Sequence, residues 1–306
     1  MGTILEQLPS GARVAVIRLR SLGDCVLTTP ALEVLRRSRP DLRVAVVVEE
    51  RFKPIFEGNP DLDALVAPSF RELAGWSPDL CLNLHGGTRS LVLTLLSGAR
   101  FRAGFGHFRC SSMYNVRIPT AQQILGISRK VHTAEHLASA MFYLGAGEGE
   151  VPRAKLFLTQ AEAPAPRAPY AVLHPVASAP SKTWLAERFL EVAARLQDTW
   201  RLEPVFIAGA GEDLNPFRAY RTVVGAPLDQ LKSLLAGAAA FIGNDSGPAH
   251  VAAAFGTPSV VIFGASDPDV WAPWKTASEV LIARGGIGGI AVSEVLAALE
   301  RLRVAA

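Results

Sequence analysis

The stretch Gly243-Asn244-Asp245-Ser246-Gly247-Pro248-Ala249-His250 decides the fold, because one apolar run (238–242) leads into it and another (251–255) leads out. It reads as strand, tight loop and helix. Pro248 suits the first helical turn, where its missing N–H costs nothing, and Ser246 or Gly247 can cap. The backbone N–H groups there, with the positive end of the helix dipole, form a site for phosphate. Asp245 and His250 then flank whatever that phosphate carries.

Working outward, apolar strand-like runs at 14–19, 43–48 and 80–84, and again at 170–173, 204–208, 239–243 and 258–263, alternate with helical segments. Alternation of this kind implies an α/β protein with parallel sheets and crossover helices. Between the two groups lies Ala163-Pro164-Ala165-Pro166-Arg167-Ala168-Pro169, a Pro/Ala stretch that resists helix and favours an extended connection. It is read as a linker, dividing the chain into domains 1–165 and 166–306. The first strand runs into Arg20-Ser21-Leu22-Gly23-Asp24, so Asp24 lies at its carboxyl end, where open α/β sheets place ligands. Two helix starts are open: Asp24 caps a helix kinked at Pro30, or Thr29 caps a helix that begins at Pro30. Either one puts the carboxylate at the strand–helix junction.

With 306 residues, 49% hydrophobic and 19% charged, the chain is long enough for two cores. No apolar run approaches the ~20 residues of a membrane span. The first residues lack a basic segment followed by an apolar signal core, which sets the expectation of a cytoplasmic protein. Cys25, Cys81 and Cys110 are scattered, as reduced packing thiols would be.

Five stretches carry a resemblance: SLGDCVLTTPALEVLRR (21–37), HPVASAPSKTW (174–184), AGAGED (208–213), GNDSGPAHVAAAFGTPSVVIFG (243–264) and SDPDVWAPW (266–274). In this order along nearly the whole chain, they resemble the heptosyltransferases of glycosyltransferase family nine, which extend the inner core of lipopolysaccharide. The resemblance implies the GT-B architecture, two Rossmann-like domains facing a central cleft. It also implies that the last helix, about 293–303, packs back on the first domain. The implied reaction is inverting attack of an acceptor sugar hydroxyl on the anomeric carbon of ADP-heptose, with ADP-sugar a co-substrate and no cofactor or metal. Asp24 would be the base, taking the proton late as the hydroxyl grows acidic. Lys182, the N–H groups around Ser246 and Gly247, and His250 would stabilise the leaving diphosphate, with Ser178 and Ser181 adding hydrogen bonds. Glu212 would meet the ribose hydroxyls, and Asp245 the donor sugar or its own loop. Leu185 stands where many family members have proline.

The overall charge of +3 conceals an asymmetry. Residues 1–165 carry 19 Lys+Arg against 15 Asp+Glu, net +4, whereas 166–306 carry 12 against 13, net −1. Between Asp79 and Glu135 no acidic residue occurs, yet Arg89, Arg100, Arg102, Arg109, Arg117, Arg129 and Lys130 do. Such a segment attracts a polyanion. Alone it reads rather as a solvated face with long aliphatic stems over apolar surface, but the anionic inner-core acceptor that the resemblance implies makes it the expected acceptor surface. Arginine forks suit carboxylate and phosphate. No stacking segment accompanies the charge, which argues against nucleic acid. A lipid-linked acceptor implies peripheral contact with the inner leaflet of the membrane.

Two patterns suggest metal but read otherwise. His132-Thr133-Ala134-Glu135-His136 matches the H-x-x-E-H of some zinc peptidases, without a third ligand of defined placement. Asp61-Leu62-Asp63 and Asp267-Pro268-Asp269 sit beside prolines and look like turns. The competing functions are another GT-B glycosyltransferase, a nucleotide-sugar epimerase, and a nucleotide-sugar-binding module without turnover. A base at Asp24 argues against the last, and the acid-free segment against an epimerase acting on one small substrate.

Overall fold

A computed structural model describes residues 2–159, 166, 168–283, 285–302 and 304. The expected boundary at 165/166 and most of the expected linker lie outside the described residues. The chain divides into two compact units, Met1–Phe157 and Leu158–Ala306.

The first unit contains, in order, β1 (Arg13–Ile17), α1 (Leu22–Ser38), β2 (Arg43–Val47), β3 (Ala64–Val66), α2 (Phe70–Trp76), β4 (Leu80–Asn83), α3 (Thr88–Leu96), β5 (Phe101–Phe105), β6 (Val116–Ile118), α4 (Ala121–Leu125) and α5 (Thr133–Leu144). Its six strands are ordered β3-β2-β1-β4-β5-β6, and neighbours run parallel. Central strands read as continuous apolar runs because both faces are covered. In β1 and β2 every residue after the first arginine is buried.

Helix α1 starts at Leu22, so neither Asp24 nor Thr29 is its cap, and it passes straight through Pro30 with residues 25–35 buried along it. Proline there has no N–H for the Val26 carbonyl. The Thr29 hydroxyl donates to that carbonyl instead, at 2.9 Å, and also accepts from the Lys155 N–H at 3.2 Å.

The second unit contains β7 (Tyr170–His174), α6 (Ala186–Trp200), β8 (Glu203–Ala208), β9 (Arg221–Val224), α7 (Leu228–Ala236), β10 (Ala240–Asn244), α8 (Gly247–Phe255), β11 (Ser259–Phe263), α9 (Pro268–Trp271), β12 (Ser278–Ile282) and α10 (Val292–Arg301). Read from its β9 edge, the sheet runs β9-β8-β7-β10-β11-β12, the same order as in the first unit. Helix α6 buries Phe189, Val192, Ala193 and Leu196, one stripe at helical spacing. Burial of Phe189, Val192 and Leu196 contributes roughly 1.5–3 kcal/mol each. Helix α10 lies against α6, β11 and β12 and sends Val295, Ala298 and Leu299 into that same core.

Strands β3, β5, β6, β9 and β12 stand outside the runs read from the sequence. Four of them are the outermost two strands of each sheet, where fewer residues are buried: β9 has none buried, and β12 is only half covered. The remaining one, β5, carries Arg102 and Gly104 within Phe-Arg-Ala-Gly-Phe, which dilutes the apolar signal. Among the described residues no helix is long and apolar enough to cross a membrane.

Candidate active site

In each sheet the strand order reverses beside the first strand, between β1 and β4 in one unit and between β7 and β10 in the other. At such a switch point neighbouring connections leave on opposite faces and open a crevice at the carboxyl ends. Of the residues singled out from the sequence, Asp24 lies at the first of these places, and Ser178, Ser181, Lys182, Asp245, Ser246, Gly247 and His250 on the loops and helix at the second.

In the first unit Asp24 occupies the first turn of α1. Ser21 precedes the helix without capping it; its hydroxyl donates to Asp24 Oδ2 at 2.7 Å. Arg18, just past β1, sets its Nη1 3.4 Å from Asp24 Oδ1 and donates through Nη2 to the Leu84 carbonyl. Behind these groups Cys25 is fully buried, and burial pushes its thiol up to about 12. His85 stands on the loop after β4. Burial lowers its pKa, and the Arg18 and Arg20 charges act in the same direction. The loop is held by Asn83, whose Oδ1 accepts from the N–H groups of His85 and Gly86 at 2.9 and 3.1 Å. The Asn83 amide donates to Ser90 Oγ and Tyr114 Oη at 3.1 and 2.8 Å, so this buried polar cluster is well satisfied.

At the second switch point Ser246 is the N-cap of α8, but its side chain makes no capping bond. Its hydroxyl hydrogen-bonds His174 Nδ1 at 2.9 Å, across the sheet from the end of β7. His174 is pushed down to about 4 by burial and is therefore neutral. Asp245 pairs with Lys182, Oδ2 to Nζ 3.6 Å. Lys182 sits on a single turn fixed from two sides. Asn244 accepts from the Trp184 N–H at 3.0 Å and donates to the Pro175 carbonyl at 2.9 Å. Ala265 donates to the Ser181 carbonyl at 3.2 Å. A Cβ at Gly264 would lie 2.0 Å from that same carbonyl, so only glycine permits this approach. The Ser178 and Ser181 side chains are exposed, and Ser178 borders a shallow hollow with Ala179, Pro180 and Leu185. His250 is buried on α8 with its ring 6.5 Å from that of Trp271. Glu212 closes its own turn, Oε2 accepting from the Gly209 N–H at 2.6 Å.

The acid-free segment does not form one patch. Arg89, in the first turn of α3, and Arg109, after β5, lie at the carboxyl end of the first sheet, as Asp24 does. Arg100 precedes β5 and Arg102 is its second residue, toward the opposite end, while Arg117 is central in the edge strand β6. Arg89 pairs with Glu49 at 3.3 Å and donates to the Pro68 carbonyl, Arg100 covers the Phe101 ring, and Arg102 donates to the Ala99 carbonyl. Arg109 and Arg117 are exposed.

The metal-like patterns have structural roles. His132 Nδ1 accepts from the Ala134 N–H as the cap of α5, Glu135 pairs with Arg129 at 2.6 Å, and His136 stacks on Phe105 with centroids 4.1 Å apart. Asp63 pairs with Arg36 at 2.7 Å, the Asp61 N–H donates to Asn59, and Asp267 caps α9.

Sequence reasoning missed Arg18, His85, His174, Asn83 and Asn244. All of them end or follow central strands, and a polar residue closing an apolar run beside a crossover was the available signal.

The family model described as glycosyltransferase family 9 (heptosyltransferase) matches residues 67–286. Lipopolysaccharide heptosyltransferase 3 of Escherichia coli K12 is 25% identical over 290 residues, covering 84% of this chain and 83% of that protein. The glycosyl transferase family 9 structure from Veillonella parvula superposes with a TM-score of 0.80 at 23% identity, covering 96% and 97% of the two chains. The E. coli ADP-heptose lps heptosyltransferase II structure gives 0.78 at 20% identity, covering 95% and 98%. The fold is the GT-B type, built of two Rossmann-like parallel-sheet units. With the matched model spanning most of its length, this chain belongs to glycosyltransferase family 9, the heptosyltransferases.

Proposed function

We propose that the chain transfers a heptose from ADP-heptose to the lipopolysaccharide core, with inversion at the anomeric carbon and without a metal. Sugar, nucleotide and acceptor are those named for the E. coli relatives. The observation that carries the reading is the second switch point: an ammonium, Lys182, beside the N-terminus of α8, whose cap side chain is turned away to His174. Helix N–H groups and a lysine together suit a diphosphate.

In the reaction the acceptor oxygen bonds to the anomeric carbon while the bond from that carbon to the diphosphate oxygen breaks. The hydroxyl proton passes to Asp24, and the charge gathering on ADP is met by Lys182 and the N–H groups at Gly247. Ser178, Ser181, Asp245 and His250 complete the donor surroundings, with Glu212 toward the ribose. Arg89 and Arg109 draw the anionic acceptor to the Asp24 end of the first sheet. Since that acceptor is lipid-linked, the chain works in the cytoplasm against the inner leaflet.

A product assay with ADP-heptose and core acceptors truncated at successive sugars, run in excess EDTA, tests this. Transfer to one acceptor with inverted product is expected; strict dependence on an added metal, or no transfer to any core acceptor, defeats the proposal. Asp24→Asn should leave donor affinity intact and lower turnover by roughly two orders of magnitude or more. Turnover within a few-fold of wild type would remove Asp24 from the mechanism.

A further inference from the structure

We infer that Arg18 is a positioning residue for the reaction: its buried guanidinium fixes the Asp24 carboxylate from behind and supplies the charge that holds it in a reactive orientation. The inference rests on the reading of Asp24 as the base.

Three observations carry it. Arg18 is 5% exposed, an unusual place for a full charge, and burial acts against that charge while Asp24 supports it. Its Nε is buried with no hydrogen-bond partner among the described residues, so the side chain is not placed to satisfy its own donors. The bond to the Leu84 carbonyl joins the diverging ends of β1 and β4, but a neutral donor would serve that purpose. What a neutral side chain cannot provide is the ion pair with Asp24.

The geometry of that pair favours a base. Arg18 holds Oδ1 and Ser21 holds Oδ2, so the carboxylate plane is fixed from both sides. Each oxygen keeps a second lone pair. The Asp24 side chain is 26% exposed against 6% for Arg18, so the cation lies on the protein side and the carboxylate on the solvent side. A base held in this way loses little freedom on meeting a hydroxyl.

Two substitutions isolate the charge. Both Arg18→Gln and Arg18→Lys are too short to keep the Nη2 bond to the Leu84 carbonyl, but Arg18→Gln loses the charge and Arg18→Lys retains it. Arg18→Gln should lower kcat about ten- to a hundred-fold, with KM for ADP-heptose and for acceptor within about two-fold, while Arg18→Lys keeps a third or more of the wild-type rate. In an Asp24→Asn background, Arg18→Gln should change the residual rate by less than about two-fold, because the group it acts through is gone. A lysine variant no better than glutamine, or an undiminished loss on top of Asp24→Asn, overturns the inference. Should Arg18→Gln fail to fold, Arg18→Lys with and without Asp24→Asn decides it: any loss in the first must vanish in the second. Wild-type turnover from Asp24→Asn alone would instead defeat the assignment of the base.

Discussion

At the scale of single residues, Lys182 and Asp245 form a loose ion pair at 3.6 Å, which leaves the ammonium hydrogen-bond capacity for a phosphate oxygen. Lys182→Ala should therefore weaken ADP as well as ADP-heptose by about ten-fold or more, the scale of a charge-assisted contact. Calorimetry returning an unchanged ADP affinity would place Lys182 outside the site. Asp24 and Ser246 were legible because each lies in a local pattern of strand, short loop and helix, and Lys182 through the resemblance carried by 174–184. His174 was not, because its partner arrives from 72 residues away, nor was Arg18, which pairs with Asp24 six residues on but is anchored to the Leu84 carbonyl 66 residues away. Only the parallel topology brings those partners into range.

At the scale of elements, α1 accommodates Pro30 through a neighbouring hydroxyl. Replacing Thr29 by valine would strand both the Val26 carbonyl and the Lys155 N–H, at a cost of about 2 kcal/mol. A melting point lower by roughly 4–8 °C is expected for a unit of this size, and an unchanged melt would mean that the hydroxyl is dispensable. The first sheet also divides the arginines by position. About five residues of β5, at roughly 3.3 Å each, separate the level of Arg100 from the carboxyl end. That exceeds the ~8 Å screening length at physiological salt. Arg109→Glu should raise the acceptor KM several-fold with a steeper salt dependence, whereas Arg100→Glu should do neither; equal effects would return the segment to a uniform patch. Central strands were readable as apolar runs, but short, half-exposed outer strands such as β6 and β9 hold few buried positions from which to read a period.

Across the whole molecule, each unit contains a histidine held neutral by burial, His136 in the first and His174 in the second, both pushed down to about 4. The unfolded chain takes up a proton near 6.5 and the folded chain near 4, so the unfolded state binds more protons between those values. Stability is present in full above about pH 6.5 and falls as the pH drops toward 4, by at most about 3 kcal/mol for each group. Melts recorded from pH 8 to 4 should show that decline, and His174→Gln should reduce it; a flat profile would discount the buried imidazoles. The two-unit organisation was legible from the repeated alternation of strand and helix. The common strand order was not, since nothing along the chain shows that β4 and β10 lie beside the first strand of their sheets. Both of those strands end in a fully buried asparagine: Asn83 braces the loop after its own strand, and Asn244 braces the loop after β7. Because each unit has its own core and its own switch point, a mutation that retunes one pocket need not disturb the other. If the first unit takes the acceptor and the second the donor, as proposed, the choice of each sugar becomes a separately heritable trait, and a lineage could exchange one half of the gene to attach the same sugar to a new glycan.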